Sequence, residues 1–167
     1  MSNTGSVWCF GNDIDTDILA PGRFMSSKLE VLASHCLEAL DPMFASNVKP
    51  GDILIAGKNF GVGSSREQAA QALKYLGIKA VIAKSFAGIF YRNAINLGLP
   101  VLIGNASDVV QSGNRANLKI ETGFLELIEE AKIITCEPMP KFLLELIEAG
   151  GLVPHLEKRF AKEKIIQ

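Results

Sequence analysis

The sequence has almost no net charge: 17 lysines and arginines oppose 18 aspartates and glutamates, a balance of −1. That leaves no electrostatic case for nucleic acid or an anionic membrane as the partner. Its three cysteines, Cys9, Cys36 and Cys136, are odd in number and far apart. They make neither a disulfide framework nor a metal-ligand pattern, and a reducing cytoplasm suits them best. No stretch approaches the roughly 18–20 apolar residues that a bilayer span requires. The opening MSNTGSVWCFGNDID has no basic region followed by an apolar run, so a secretory leader is not expected. Repeats and low-complexity segments are missing as well.

What remains is an ordinary globular composition, 48% apolar and 21% charged over 167 residues. That length is enough for one domain with a sizeable core. DILIAG at 52–57 reads as a buried strand. Residues 65–76 read as a helix, with Ala69, Ala72, Leu73 and Leu76 on one face and Gly77 placed as a C-terminal cap. KAVIA at 79–83 is the next strand. Strand, helix, strand in this order predicts a βαβ unit with parallel pairing and a right-handed crossover.

A second helix over 86–97 ends at Gly98 and Pro100, and PVLIG at 100–104 is a third apolar strand. Residues 105–116 are polar and turn-rich. Two strands follow near 117–121 and 132–136, with ETGFLELIEEA between them. MPKFLLELIEAGG reads as a helix closed by paired glycines, and LVPHLEKRFAKEK as a charged tail helix. Upstream, KLEVLASHCLEAL at 28–40 has helical spacing, between a loop at 11–27 and a turn at 48–52.

NFGVGSSREQAAQAL at 59–73 carries the strongest chemical signal. Ser64 with Glu67, and Ser65 with Gln68, both have the spacing of a capping box. Capping therefore accounts for one serine. It leaves the other over, together with Gly61 and Gly63, which permit close backbone approach. Arg66 also runs against the preference for acidic residues where a helix begins. Free N–H groups, two hydroxyls and a guanidinium suit a carboxylate or a phosphate. The motif is neither a P-loop nor a dinucleotide fingerprint.

A second cluster, GNDIDTDILAPGRF at 11–24, holds Asp13, Asp15 and Asp17 at alternate positions and then Arg23. Calcium in the EF-hand manner is not expected, because the positions for the loop glycine and the last glutamate are Ile18 and Phe24. An Asx-rich turn and an acidic group that orients a hydroxyl or an arginine are both open readings. His35 and His155 lie in helical contexts and read as structural.

Taken together, GDILIAGKNFGVGSSREQAAQALKYLGIKAVIAKSFAGIFYRNAINLGLPVL, DIDTDILAPGRF and MPKFLLELIEAGGLVPHLEKR resemble the swivel domain of the aconitase superfamily. As a free chain of this length the sequence resembles the small subunits of 3-isopropylmalate dehydratases, with homoaconitase small subunits as close relatives. The resemblance implies an α/β fold of the swivelling β/β/α type, a mixed or parallel sheet flanked by helices. It implies one domain over 1–167, with a helical tail over about 138–167. It also implies dehydration and rehydration of a hydroxy-dicarboxylate, the substrate hydroxyl binding an open iron of a 4Fe–4S cluster. That cluster would sit in a separate large subunit, since an open-iron cluster needs three protein thiolates, and this chain would bind no cofactor and be inactive alone.

By the same resemblance Ser64 is the base, Ser65 and Arg66 bind substrate carboxylate, and Asp17 is an active-site acid. Arg23 is a further binding candidate. The segment Phe24-Met25-Ser26 meets the substrate's variable group. It has no arginine at Ser26, which disfavours a tricarboxylate, yet Ser26 is not the apolar residue an isopropyl group would select. Isopropylmalate leads, in leucine biosynthesis. Citramalate, 2,3-dimethylmalate and homoaconitate remain as alternatives, and a stand-alone anion-binding module is the non-enzymatic one.

Overall fold

A computed structural model describes residues 4–166. Its strands are β1 (Thr4–Cys9), β2 (Ile53–Ala56), β3 (Ala80–Ala83), β4 (Val101–Ile103), β5 (Arg115–Lys119), β6 (Phe124–Leu127) and β7 (Lys132–Thr135). They form one seven-stranded sheet in the order β4-β3-β2-β1-β5-β6-β7. Its helices are α1 (Thr16–Leu19), α2 (Leu29–Ser34), α3 (Phe44–Asn47), α4 (Gln68–Tyr75), α5 (Gly88–Asn96), α6 (Lys141–Ala149) and α7 (Leu152–Ile166). The expected α/β class with a mixed sheet and flanking helices is what the chain adopts.

The sheet has two halves of different chemistry, joined at β1. On one side β1, β2, β3 and β4 pair in parallel. α4 and α5 supply the crossovers, as the βαβ reading predicts. Every residue of β2 and β3 is buried, as in strands covered on both faces. On the other side β1, β5, β6 and β7 pair antiparallel. There β6 alternates exposed and buried, with Leu125 and Leu127 inward and Phe124 and Glu126 outward. Asp52 locks the join between β1 and β2: its buried carboxylate accepts from Ser6 N, Trp8 Nε1 and Lys49 N, each at 2.9 Å.

Several expected boundaries move. β1 and β6 are strands that the sequence reading left unassigned. The helix expected over 28–40 stops at Ser34, and turns carry the chain through 35–40, where Leu37 takes a left-handed φ of 60°. The loop at 11–27 contains α1 and a 3-10 turn at Gly22–Phe24. The helix expected from residue 65 begins at Gln68. In the tail, Gly150 ends α6 in the left-handed conformation (φ 94°), as the paired glycines suggest.

Candidate active site

Two loops leave the C-terminal ends of the neighbouring parallel strands β1 and β2, where open α/β sheets place ligands. They are laced together by backbone bonds. Asp13 N donates to Lys58 O (2.8 Å), Gly61 N to Ile14 O (2.7 Å) and Thr16 N to Val62 O (2.9 Å). The three alternate aspartates take three separate jobs. Asp13 accepts from Asn59 Nδ2 at 3.0 Å. Asp15 caps α1 by accepting from Ile18 N at 2.8 Å. Asp17 accepts from Gly22 N at 2.9 Å and from Arg66 Nη1 at 3.1 Å. The Asx-rich turn and the acid that orients an arginine are thus both present.

Gly61 lets the second loop close on the core. It adopts φ 81°, and a Cβ there would lie 2.2 Å from the Phe90 ring. Phe90 is buried and packs edge-on to Phe60, so it has no room to yield. Gly61→Ala is expected to cost about 2–4 kcal/mol through overpacking and a disfavoured φ. A drop in the denaturant midpoint with unchanged m-value checks this.

Neither Ser64 nor Ser65 caps α4; the residue before its first turn is Glu67, which makes no side-chain capping bond. The Ser64 N–H is instead bound to Thr16 Oγ1 at 3.1 Å, and the two hydroxyl oxygens lie 3.2 Å apart. Thr16 is buried, with 4% of its surface exposed, whereas Ser64 is exposed. Since Thr16 Oγ1 accepts from the Ser64 amide, its own proton is free to point at Ser64 Oγ. That proton would stabilise negative charge on Ser64. The approach requires Gly63, where a Cβ would come within 2.9 Å of Thr16 Oγ1. Sequence reasoning missed Thr16; its only mark was its place between Asp15 and Asp17.

The amides of Ser65, Arg66, Glu67 and Gln68 have no acceptor among the described residues, and they sit where the positive end of the α4 dipole lies. Ser65 O accepts from Asn93 Nδ2 of α5 at 3.2 Å, which holds the loop while the exposed hydroxyl stays uncommitted. Arg66 donates through Nη1 to Ala20 O at 2.8 Å as well as to Asp17. So Ser64, Ser65, Arg66 and Asp17 lie on two interlocked loops.

The Gly22 amide and the Arg66 guanidinium hold the Asp17 carboxyl below the usual aspartate range. A lowered folded-state pKa stabilises the fold above the unfolded value of about 3.9 and ceases to do so as the pH falls through the lowered value. The stability gap between the parent and Asp17→Asn should therefore be constant above about pH 5 and close below about pH 4. Acid-unfolding curves of the two proteins measure it.

Arg23 shares a cavity lining with Asp17. Arg23 pairs with Glu38 and lies over the Phe24 ring, 4.8 Å from its centroid. Phe24 and Met25 are half-buried against the core, while Ser26 is exposed. An open cavity of about 360 Å³ joins Asp17, Gly22 and Arg23 to Glu38. A larger opening of about 620 Å³ lies along charged faces of α6 and α7, and no expected site residue lines it. His35 is a satisfied structural group, stacked on Phe24 and bonded to Glu38.

The described residues contain no group of three His, Cys, Asp or Glu side chains placed to hold a metal ion. Burial raises the pKa of all three cysteine thiols, that of Cys136 to about 11, which opposes the thiolate form that iron requires. Among the described residues, no set of side chains fits an iron–sulfur cluster.

A family model described as the aconitase C-terminal domain matches residues 19–105. The isopropylmalate/citramalate isomerase small subunit of Methanocaldococcus jannaschii is 46% identical over 162 residues, covering 96% of each chain. The 3-isopropylmalate dehydratase small subunit 1 of Thermotoga maritima is 46% identical over 163 residues, covering 96% of this chain and 98% of that protein. The crystal structure of 3-isopropylmalate dehydratase from M. jannaschii superposes with a TM-score of 0.93 at 44% identity, each chain covered in full. With that length and fold in common, the chain belongs to the family of 3-isopropylmalate dehydratase small subunits, built on the aconitase C-terminal domain.

Proposed function

We propose that this chain is the small subunit of a hydro-lyase that interconverts 2-isopropylmalate and 3-isopropylmalate by dehydration and rehydration, in leucine biosynthesis. It acts only with a large subunit, which on this reading carries the 4Fe–4S cluster. Ser64 Oγ removes and returns the proton on the carbon next to the hydroxyl-bearing one. Ser65 and Arg66 take a substrate carboxylate. Asp17 aims Arg66, and Arg23, Phe24, Met25 and Ser26 meet the variable substituent. The whole chain, 1–167, acts as one swivel domain, with the tail from about 138 part of it. No described helix is long and apolar enough to cross a membrane, and a biosynthetic role in the cytoplasm accords with that.

One observation carries the reading: an exposed serine hydroxyl backed by a buried threonine hydroxyl at 3.2 Å, at the mouth of a helix with unspent amides. A serine works as a base only where its alkoxide is held by such donors. Citramalate is the second reading, favoured by the M. jannaschii relative whose name carries both substrates. The test is reconstitution with the partner large subunit and assay against 3-isopropylmalate, citramalate, 2,3-dimethylmalate and homocitrate. Isopropylmalate should give the highest kcat/KM. Turnover by the isolated chain, or none from the reconstituted pair on any of the four, would overturn the proposal.

A further inference from the structure

The cavity beside Asp17 is walled by an arginine whose charge is already matched. Arg23 forms an ion pair with Glu38 Oε1, and the other oxygen, Oε2, lies 2.6 Å from His35 Nδ1. The His35 ring stacks on Phe24, with centroids 3.6 Å apart and planes 9° from parallel. Glu38 is thus gripped at one end by a histidine that is itself packed, while its partner Arg23 is largely exposed: side-chain exposures are 27% and 69%. The turn that presents Glu38 is held as well, since Leu37 N donates to the carbonyl oxygen of Ile18, a residue that lines the cavity, at 3.0 Å. His35 and Arg23 together keep the Glu38 carboxyl below the usual glutamate range, so it stays ionised at neutral pH.

We infer that Glu38 is a specificity-determining residue: it cancels the charge of Arg23 where the substrate's variable arm lies, and so selects an uncharged arm over a carboxylated one. This rests on the proposed reading that segment 23–26 faces that arm. The physical basis is a difference of affinities. A bare guanidinium in that wall would attract an extra carboxylate, and a compensated one does not. Discrimination against tricarboxylates then needs no change in the arginine, only an acid placed 15 residues along the chain and reached through the turn at 35–38.

The experiment uses the reconstituted two-subunit complex and two competitive inhibitors that cannot be dehydrated. Tricarballylate has a carboxylated arm and methylsuccinate an uncharged one. The quantity read is the ratio of their Ki values, which a general loosening of the site would leave unchanged. Glu38→Gln keeps the shape and a hydrogen-bonding partner for His35 while exposing the Arg23 charge. It should shift the ratio about fivefold toward tricarballylate, the upper end of what a solvent-exposed ion pair carries. Arg23→Gln, on an exposed side chain, should shift it the opposite way by leaving Glu38 uncompensated. The double variant should return to the parental ratio. An unmoved ratio in both single variants, or a double variant whose ratio stays away from the parental value, would overturn the inference. If neither inhibitor competes with isopropylmalate in the parent complex, the functional reading fails first and takes this inference with it.

Discussion

Ser64→Ala in the reconstituted complex should lower kcat by about 10²–10⁴-fold, the range that a positioned general base contributes. Subunit assembly and KM should change little, because Ser64 is exposed and its backbone amide keeps its bond to Thr16. Thr16→Val extends the argument. It preserves shape but removes the buried hydroxyl that faces Ser64 Oγ. It should fall between the parent and Ser64→Ala, and Thr16→Ser should recover most of the loss. Steady-state kinetics separates the outcomes. Turnover like the parent's from Ser64→Ala would remove Ser64 as the base. A Thr16→Val defect that appeared only as lower thermal stability would leave Thr16 a packing residue.

Arg66→Lys should raise KM about 10–100-fold with a smaller change in kcat. The reason is arithmetic on donors. Arginine offers five N–H donors in a fixed fork. Both recorded bonds of Arg66, to Asp17 and to Ala20 O, leave from Nη1. Nη2 and Nε therefore stay available for a two-point grip on a carboxylate. A lysine that kept both structural bonds would have one proton left, and no planar fork. Losing a charge-assisted bond of about 1.5–3 kcal/mol gives the stated factor. An unchanged KM would exclude Arg66 as the carboxylate clamp.

The parallel half of the sheet was plain in the sequence because its strands are buried on both faces. ILIA and AVIA are continuous apolar runs flanked by turn residues, and the crossover helix between them has one clear apolar face. The antiparallel half was less visible. Phe124-Leu125-Glu126-Leu127 alternates, but the run is four residues long and merges into ETGFLELIEEA, which has equal claims to a helix. β1 was hidden because TGSVWC mixes glycine and serine with only a few apolar residues.

At the site, residue types and spacing singled out two loops that the fold brings together, and misjudged a local role. The capping-box spacing placed a helix start at the serines, but the Ser64 amide is taken by Thr16, 48 positions earlier. A tertiary bond of that span leaves no trace in local spacing, and it delays the helix to Gln68. Glu38 was illegible for the same reason. The helical pattern of 28–40 hides the turn at Leu37 that swings its carboxylate toward Arg23.

The protein holds one tryptophan, Trp8, which sits edge-on to buried Phe44 with its indole N–H on Asp52. Its ultraviolet emission will therefore report on the seam between the two halves of the sheet. Among the described contacts none ties that indole to the serine loop, so the intrinsic fluorescence should follow denaturation faithfully. It should stay dark to ligand titrations, and binding studies will need an extrinsic dye or calorimetry.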